Sequence, residues 1–246
     1  MPIKKQHPEV KTEFSDTLKV HLLKALNGDP QFSEAHSQLA LIYQEHGDQQ
    51  EAETHFQKAI ELASKQIREI EKRGRKLLKN FQFQNANVLF MKAQEKRHHC
   101  ARVNLQLSNL YESQRKSAKA QICLKNSIQL NPAYSKAYRD MGIILLKQKS
   151  YDAARHHIEK ALELDYSDYL SHLNLGIIMK KSRDYVDAEM HFLIAMDINP
   201  DLAVCMLEMA LLQLIMKNQT KAKKYYQKAR EISPHISDAK LDSVLK

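Results

Sequence analysis

Four prolines, Pro30, Pro132, Pro200 and Pro234, are separated by 102, 68 and 34 residues, all multiples of 34. A fixed period in this range signals a stack of similar supersecondary units, none of which can bury its apolar face alone. Six blocks follow, 33–66, 67–100, 101–134, 135–168, 169–202 and 203–236. Their twentieth residues are Ala52, Ala86, Ala120, Ala154, Ala188 and Ala222. The eighth residue is always small (Ala40, Gly74, Ser108, Gly142, Gly176, Ala210), as is the twenty-seventh (Ala59, Ala93, Ser127, Ala161, Ala195, Ala229). The twenty-fourth is large: Phe56, Phe90, Leu124, Ile158, Phe192 and Tyr226. Positions 4, 8 and 11 share one face of a first helix, and positions 20, 24 and 27 share one face of a second. Small residues at 8, 20 and 27 let the two axes approach closely, with the bulky residue at 24 beside them.

These columns resemble the tetratricopeptide repeat. Block 169–202 carries His172, Leu175, Gly176, Met179, Ala188, Phe192, Ala195 and Pro200 at the family's signature positions, and block 33–66 carries His36, Leu39, Ala40, Tyr43, Ala52, Phe56 and Ala59. The resemblance implies an all-α fold, a right-handed superhelical solenoid of about six and a half helix-turn-helix repeats. Residues 1–32 are expected to form a tail and a capping half-repeat, with Leu22, Ala25 and Pro30 matching only the second half of a repeat. Residues 33–236 hold the six repeats, and 237–246 a polar capping helix. Block 67–100 departs from the pattern, with Arg73 at an apolar position and His98 in place of proline. No breaker separates Ala52 from Gly74, or Ala86 from Tyr111, so a helix is free to run through a nominal turn there.

No phosphate-cradling glycine loop, Gly-x-Ser-x-Gly or His-Glu-x-x-His motif occurs, so the expectation is a non-enzyme without cofactor or catalytic residues. His98, His99 and Cys100 are adjacent, but neighbours on a helix point about 100° apart and do not converge on one metal ion. His36 and His172 stand at position 4, where a half-buried packing role fits. Three cysteines without paired spacing point to a reducing, cytoplasmic compartment. The most apolar segment, 205–216, is too short to span a bilayer and contains Glu208 and Gln213.

The formal net charge of +9 is concentrated in 67–134. In the tetratricopeptide family, positions 2, 5, 9 and 12 of the first helices line a concave groove that holds partner peptides. Here the resemblance puts Arg68, Arg75, Arg102, Asn109, Lys136 and Arg139 in its basic centre, and Leu173, Asn174, Ile177, Leu207 and Leu211 in its apolar C-terminal part. An alternative for the apolar residues is packing beneath the capping helix or a neighbouring repeat. Asn174 matches one element of the family's chaperone-tail clamp and Arg139 approximates another. Ile143, Val204 and Glu208 break the rest, so no clamp is expected. The leading expectation is a protein-protein scaffold or adaptor whose partner is an acidic or amphipathic segment of another protein. The rivals are an assembly or secretion factor that self-associates through the C-terminal repeats, and an RNA-binding helical repeat. The basic stripe lacks the interleaved aromatics that stack on bases, which disfavours RNA.

Overall fold

The structure, a computed structural model, describes residues 8–244, with side chains from residue 15 onward. The described residues are all-α, with twelve helices and no strand. They divide into two compact units at the Pro132/Ala133 boundary. The first unit contains α1 (Pro8–Gly28), α2 (Ser33–His46), α3 (Gln49–Lys79), α4 (Phe83–Ser113) and α5 (Ser117–Leu130). The second contains α6 (Ser135–Lys147), α7 (Tyr151–Leu164), α8 (Tyr169–Ser182), α9 (Tyr185–Ile198), α10 (Ala203–Ile215), α11 (Gln219–Ile232) and the short α12 (Ala239–Val244). Residues before Pro8 and after Val244, which the sequence assigns to an N-terminal tail and the end of a capping helix, lie outside the described residues.

All six column alanines, Ala52 through Ala222, are fully buried. The small residue at position 8 receives the large one at 24. A Cβ built on Gly176 would lie 2.6 Å from the Phe192 ring, and one on Gly142 would lie 2.6 Å from Ile158. Each first helix ends where the residue at position 15 turns left-handed: Gly47, Phe81, Arg115, Lys149, Arg183 and Lys217 all have positive φ. The N–H of the next residue reaches back to a carbonyl five positions earlier, as in Asp184 to Met179 and Asn218 to Gln213, which closes the helix end.

What stops each second helix decides how the repeats are arranged. In four blocks the stop is an extended residue, Asn131, Asp165, Asn199 or Ser233. Proline follows in three of them. In the fourth, the Asp165 carboxylate accepts from the Ser167 N–H and hydroxyl and makes the turn without proline. Blocks 33–66 and 67–100 have Ala63-Ser64 and Arg97-His98 instead, and neither pair halts a helix. The second helix of block 33–66 therefore runs on as the first helix of block 67–100 to make α3, and α4 fuses the next two in the same way.

The result is one long antiparallel hairpin. At its base the Tyr111 hydroxyl donates to Glu53 (2.9 Å) and accepts from Gln57 (3.2 Å). Higher up, Ser64 meets Cys100, and Gly74 faces Phe90. Tyr111 thus lies directly against the second helix of block 33–66, the slot an unbroken stack would give to block 67–100. The start of α2 reaches the level of Gln66 and Lys96 through Gln31 and Glu34. The end of α5 reaches Ala63, Ile67 and Cys100 through Leu130. Beyond these levels α3 and α4 continue as a two-helix arm, about 18 Å long for residues 68–79. Between residues 68 and 99, burial is confined to Gly74, Ala86 and Ala93.

A second repeated device links the two helices of a hairpin. His36 and His55 approach Nδ1 to Nδ1 at 2.9 Å in the first unit, and His172 and His191 do so at 3.1 Å in the second. The other nitrogen of His172 is 3.0 Å from the Tyr166 carbonyl, which can only accept. His172 therefore donates through Nε2, and its bare Nδ1 accepts from the Nδ1–H of His191. A proton added to the His172 Nδ1 would set N–H against N–H, and charging both rings of a pair would set charge against charge. Block 135–168 has Tyr138 at position 4, and the buried Nδ1 of His157 has no hydrogen-bond partner among the described residues.

Two outcomes are expected. Gly176→Ala is predicted to drive a methyl into the Phe192 ring and lower stability by ~1–3 kcal/mol, despite a helix-propensity gain of up to ~1 kcal/mol. Gly28→Ala, with nothing within 4 Å of the new methyl, keeps or slightly raises the urea midpoint. Equal midpoints for the two variants would remove the close approach as the cause of the helix spacing. The second outcome concerns pH. Burial holds all four paired histidines below the usual value of 6.5, and at His55 and His191 the partner ring's charge adds to it. The unfolded chain therefore binds protons more readily, so this stability is complete above pH 6.5 and lost as the pH falls below it. The melting temperature is predicted to fall between about pH 7 and pH 5.5, with a shallower fall in His55→Gln/His191→Gln. An unchanged slope in that variant would show that the pairs do not contribute.

Candidate partner-binding surface

In the second unit the first helices α6, α8 and α10 carry positions 2, 5, 9 and 12. Ile143, Leu146, Leu170 and Ile177 are half-buried there, and Val204 is 48% exposed. Leu170 and Ile177 pack on the core cluster around Leu175, Ile178 and Phe192. Leu173 lies inside that cluster, so it is a core residue rather than part of an open groove. Asn174 turns its amide onto the Leu170 carbonyl at 2.7 Å. The packing alternative holds for Leu207 and Leu211. With Leu214, they lie against a cluster of Ala210, Tyr226 and fully buried Leu241, the last contributed by α12. The Tyr226 hydroxyl donates to Asp242 at 2.6 Å and holds α12 in place.

The cations of this unit differ in availability. Lys136 is exposed. Arg139 pairs with Asp140 at 3.0 Å and Asp168 at 3.2 Å, with its side chain only 15% exposed. The two carboxylates raise its pKa against the effect of burial, and burial in turn holds Asp140 above the usual carboxylate range. Arg139 is thus an internal tie between α6 and the start of α8, not a free cation. Lys180 likewise ties α8 to Glu208 of α10.

In the first unit, Arg68 and Arg75 share a face of α3 on the arm. Arg68 is exposed, and Arg75 is 3.7 Å from Glu71. Glu71 also pairs with Arg97 across the hairpin. Arg102 is exposed on α4, with a guanidinium nitrogen 3.2 Å from His99 Nδ1, and Asn109 is exposed further along the same helix. Because block 67–100 projects as an arm, Arg68 and Arg75 lie on that arm rather than on the first-helix face of a stacked repeat. Sequence reasoning missed the arm itself. The signal was the run of non-breaking residues across 64–70 and 94–104.

The three cysteines are free and buried. Burial pushes the Cys123 thiol up to about 11 and the Cys205 thiol up to about 12, with Glu53 and Glu208 adding to it, so both are poor nucleophiles at neutral pH. Among the described residues, no helix is long and apolar enough to cross a membrane.

Comparison with known proteins agrees with this architecture. No curated protein sequence matches the chain significantly. Similar solved structures include YrrB, described as a TPR protein with an unusual peptide-binding site. It shares 15% identity at a TM-score of 0.59, over 87% of this chain and 93% of that one. PilF of Pseudomonas aeruginosa shares 20% identity at a TM-score of 0.53, over 86% and 95%. MamA of Desulfovibrio magneticus RS-1 shares 14% identity at a TM-score of 0.50, over 70% and 98%. At these identities the likeness speaks for the fold. Two sequence profiles described as tetratricopeptide repeat match residues 33–65 and 135–168, and 101–134 and 203–236, together more than half of the chain. The chain belongs to the tetratricopeptide repeat family.

Proposed function

We propose that this protein is a non-enzymatic scaffold or adaptor that holds a segment of another protein against the first-helix faces of its repeats. One observation carries the reading. The last rung of the apolar row in the second unit is already occupied by a short helix of the chain itself, with Leu241 fully buried beside Leu207, Leu211 and Leu214. The rungs before it, Ile143, Leu146, Leu170, Ile177 and Val204, offer the same chemistry and stay partly open. An amphipathic partner segment is the matching occupant, as in helix-in-groove recognition. The exposed Lys136 at the start of α6, in the same unit, would favour an acidic residue in that segment and speed its encounter. A peptide-binding site in YrrB supports the same class of ligand for this fold. The buried free thiols suit a reducing compartment such as the cytoplasm.

Val204→Glu puts a charge into the open part of the row without touching a packing column. It is expected to weaken capture of the native partner from cell extract about tenfold, ~1.4 kcal/mol. Lys136→Glu is expected to flatten the salt dependence of capture, with helical circular dichroism unchanged in both variants. Recovery of the same proteins at the same yield by all three forms across salt concentrations would place the binding site elsewhere.

A further inference from the structure

The arm ends in a feature that neither its packing nor the scaffold reading explains. At position 15, four other hairpins place an exposed Arg or Lys in the left-handed turn: Arg115, Lys149, Arg183 and Lys217. The arm places Phe81 there, with φ +58° and 80% of its surface exposed. A bulky side chain is unfavourable in that backbone region, and no core contact repays it. Phe83 stands beside it, 62% exposed, the two rings edge to face at 6.3 Å. Leu78, Val88 and Met91 are also exposed on this end of the hairpin.

Charge is sorted along the arm. Residues 80–91 contain no charged side chain. Behind them stand Lys72, Arg73, Arg75, Lys76, Lys79 and Lys92, and no acidic residue occurs anywhere in 72–92. At 1.5 Å per residue, Lys79, Lys76 and Lys72 lie about 3, 8 and 14 Å behind Phe81 along α3. This order, apolar first and cationic next, mirrors the layering of a bilayer interface. There the acyl boundary takes aromatic and aliphatic side chains to a depth of about 5–10 Å, and anionic headgroups lie above it. Long lysine stems can lie along the apolar surface with their ammonium groups among the headgroups.

We propose that the tip of the α3–α4 hairpin docks the protein peripherally on an anionic phospholipid bilayer, Phe81 and Phe83 inserting and the lysines behind them contacting headgroups. Two weak signals in one element meet the requirement for stable yet reversible attachment, which neither supplies alone. An acidic protein would satisfy the cations but leave a convex aromatic tip in water, so the bilayer is the better match. The proposal is independent of the scaffold reading, which uses other residues.

The test uses the full chain with phosphatidylcholine vesicles, with and without phosphatidylserine, in co-sedimentation. Wild type is expected to sediment with the anionic vesicles only. Phe81→Ser/Phe83→Ser and Lys76→Glu/Lys79→Glu are each expected to weaken this about tenfold, with unchanged circular dichroism because all four side chains are exposed. The chain has no tryptophan, so Phe83→Trp gives a single reporter. Its emission is expected to shift to shorter wavelength on anionic vesicles. Absence of wild-type binding, binding that survives both double substitutions, or an unshifted tryptophan on sedimented protein would overturn the proposal. So would binding to polyglutamate but not to vesicles, which would assign the arm to a protein partner.

Discussion

The contact between positions 8 and 24 is the one on which the rest of the structure depends. A backbone without a side chain on one helix receives a ring or branched chain from the other, at Gly176–Phe192, Gly142–Ile158 and Gly74–Phe90. The burial of Phe56 and Phe192 is complete, a contribution of about 1.5–3 kcal/mol for each such side chain. The contact also fixes the spacing at which the small residues at positions 20 and 27 of each block fit. The Gly74–Phe90 pair holds even on the arm, where little else is buried. Block 67–100 has therefore kept its hairpin and lost only its place between its neighbours.

That displacement follows from helix termination. An Asn, Asp or Ser at position 31 followed by proline, or by an Asx turn as at Asp165, sends the chain back on itself. Ala63-Ser64 and Arg97-His98 do not, and two helices continue past the point where the stack turns. The consequence for function is a segregation of chemistry. The basic arm that begins at Arg68, with its uncharged aromatic end, extends beyond the levels that α2 and α5 reach. The apolar row on α6, α8 and α10 is built into a separate unit and partly covered by α12.

The period and its packing columns are legible in the sequence because each column answers to a local rule of helix contact that repeats in every block. The possibility of fused helices at Ala52–Gly74 and Ala86–Tyr111 is legible too, from the missing breakers. Their consequence is not, because the 34-residue register assumes that each block turns back onto the one before it. A continuing helix leaves the sequence columns intact while moving Arg68 and Arg75 onto the arm. The fate of Arg139 depends on Asp168, 29 residues away, and that of Leu207 and Leu211 on Leu241, so neither could be read from the groove positions alone. The histidines at position 4 showed a packing role in the sequence. Their partners at position 23, His55 and His191, became evident only when the two helices were placed side by side.

The most direct measurement is the distance between spin labels at exposed positions 58 and 79. If α3 is continuous, 21 residues of helix separate the two sites, and the distribution centres near ~31 Å plus the label linkers. An ordinary repeat turn near residues 64–67 would fold the two segments back at an interaxial distance of about 8–10 Å, giving a separation below ~20 Å. A dominant population at the shorter distance would contradict the arm and return block 67–100 to the stack.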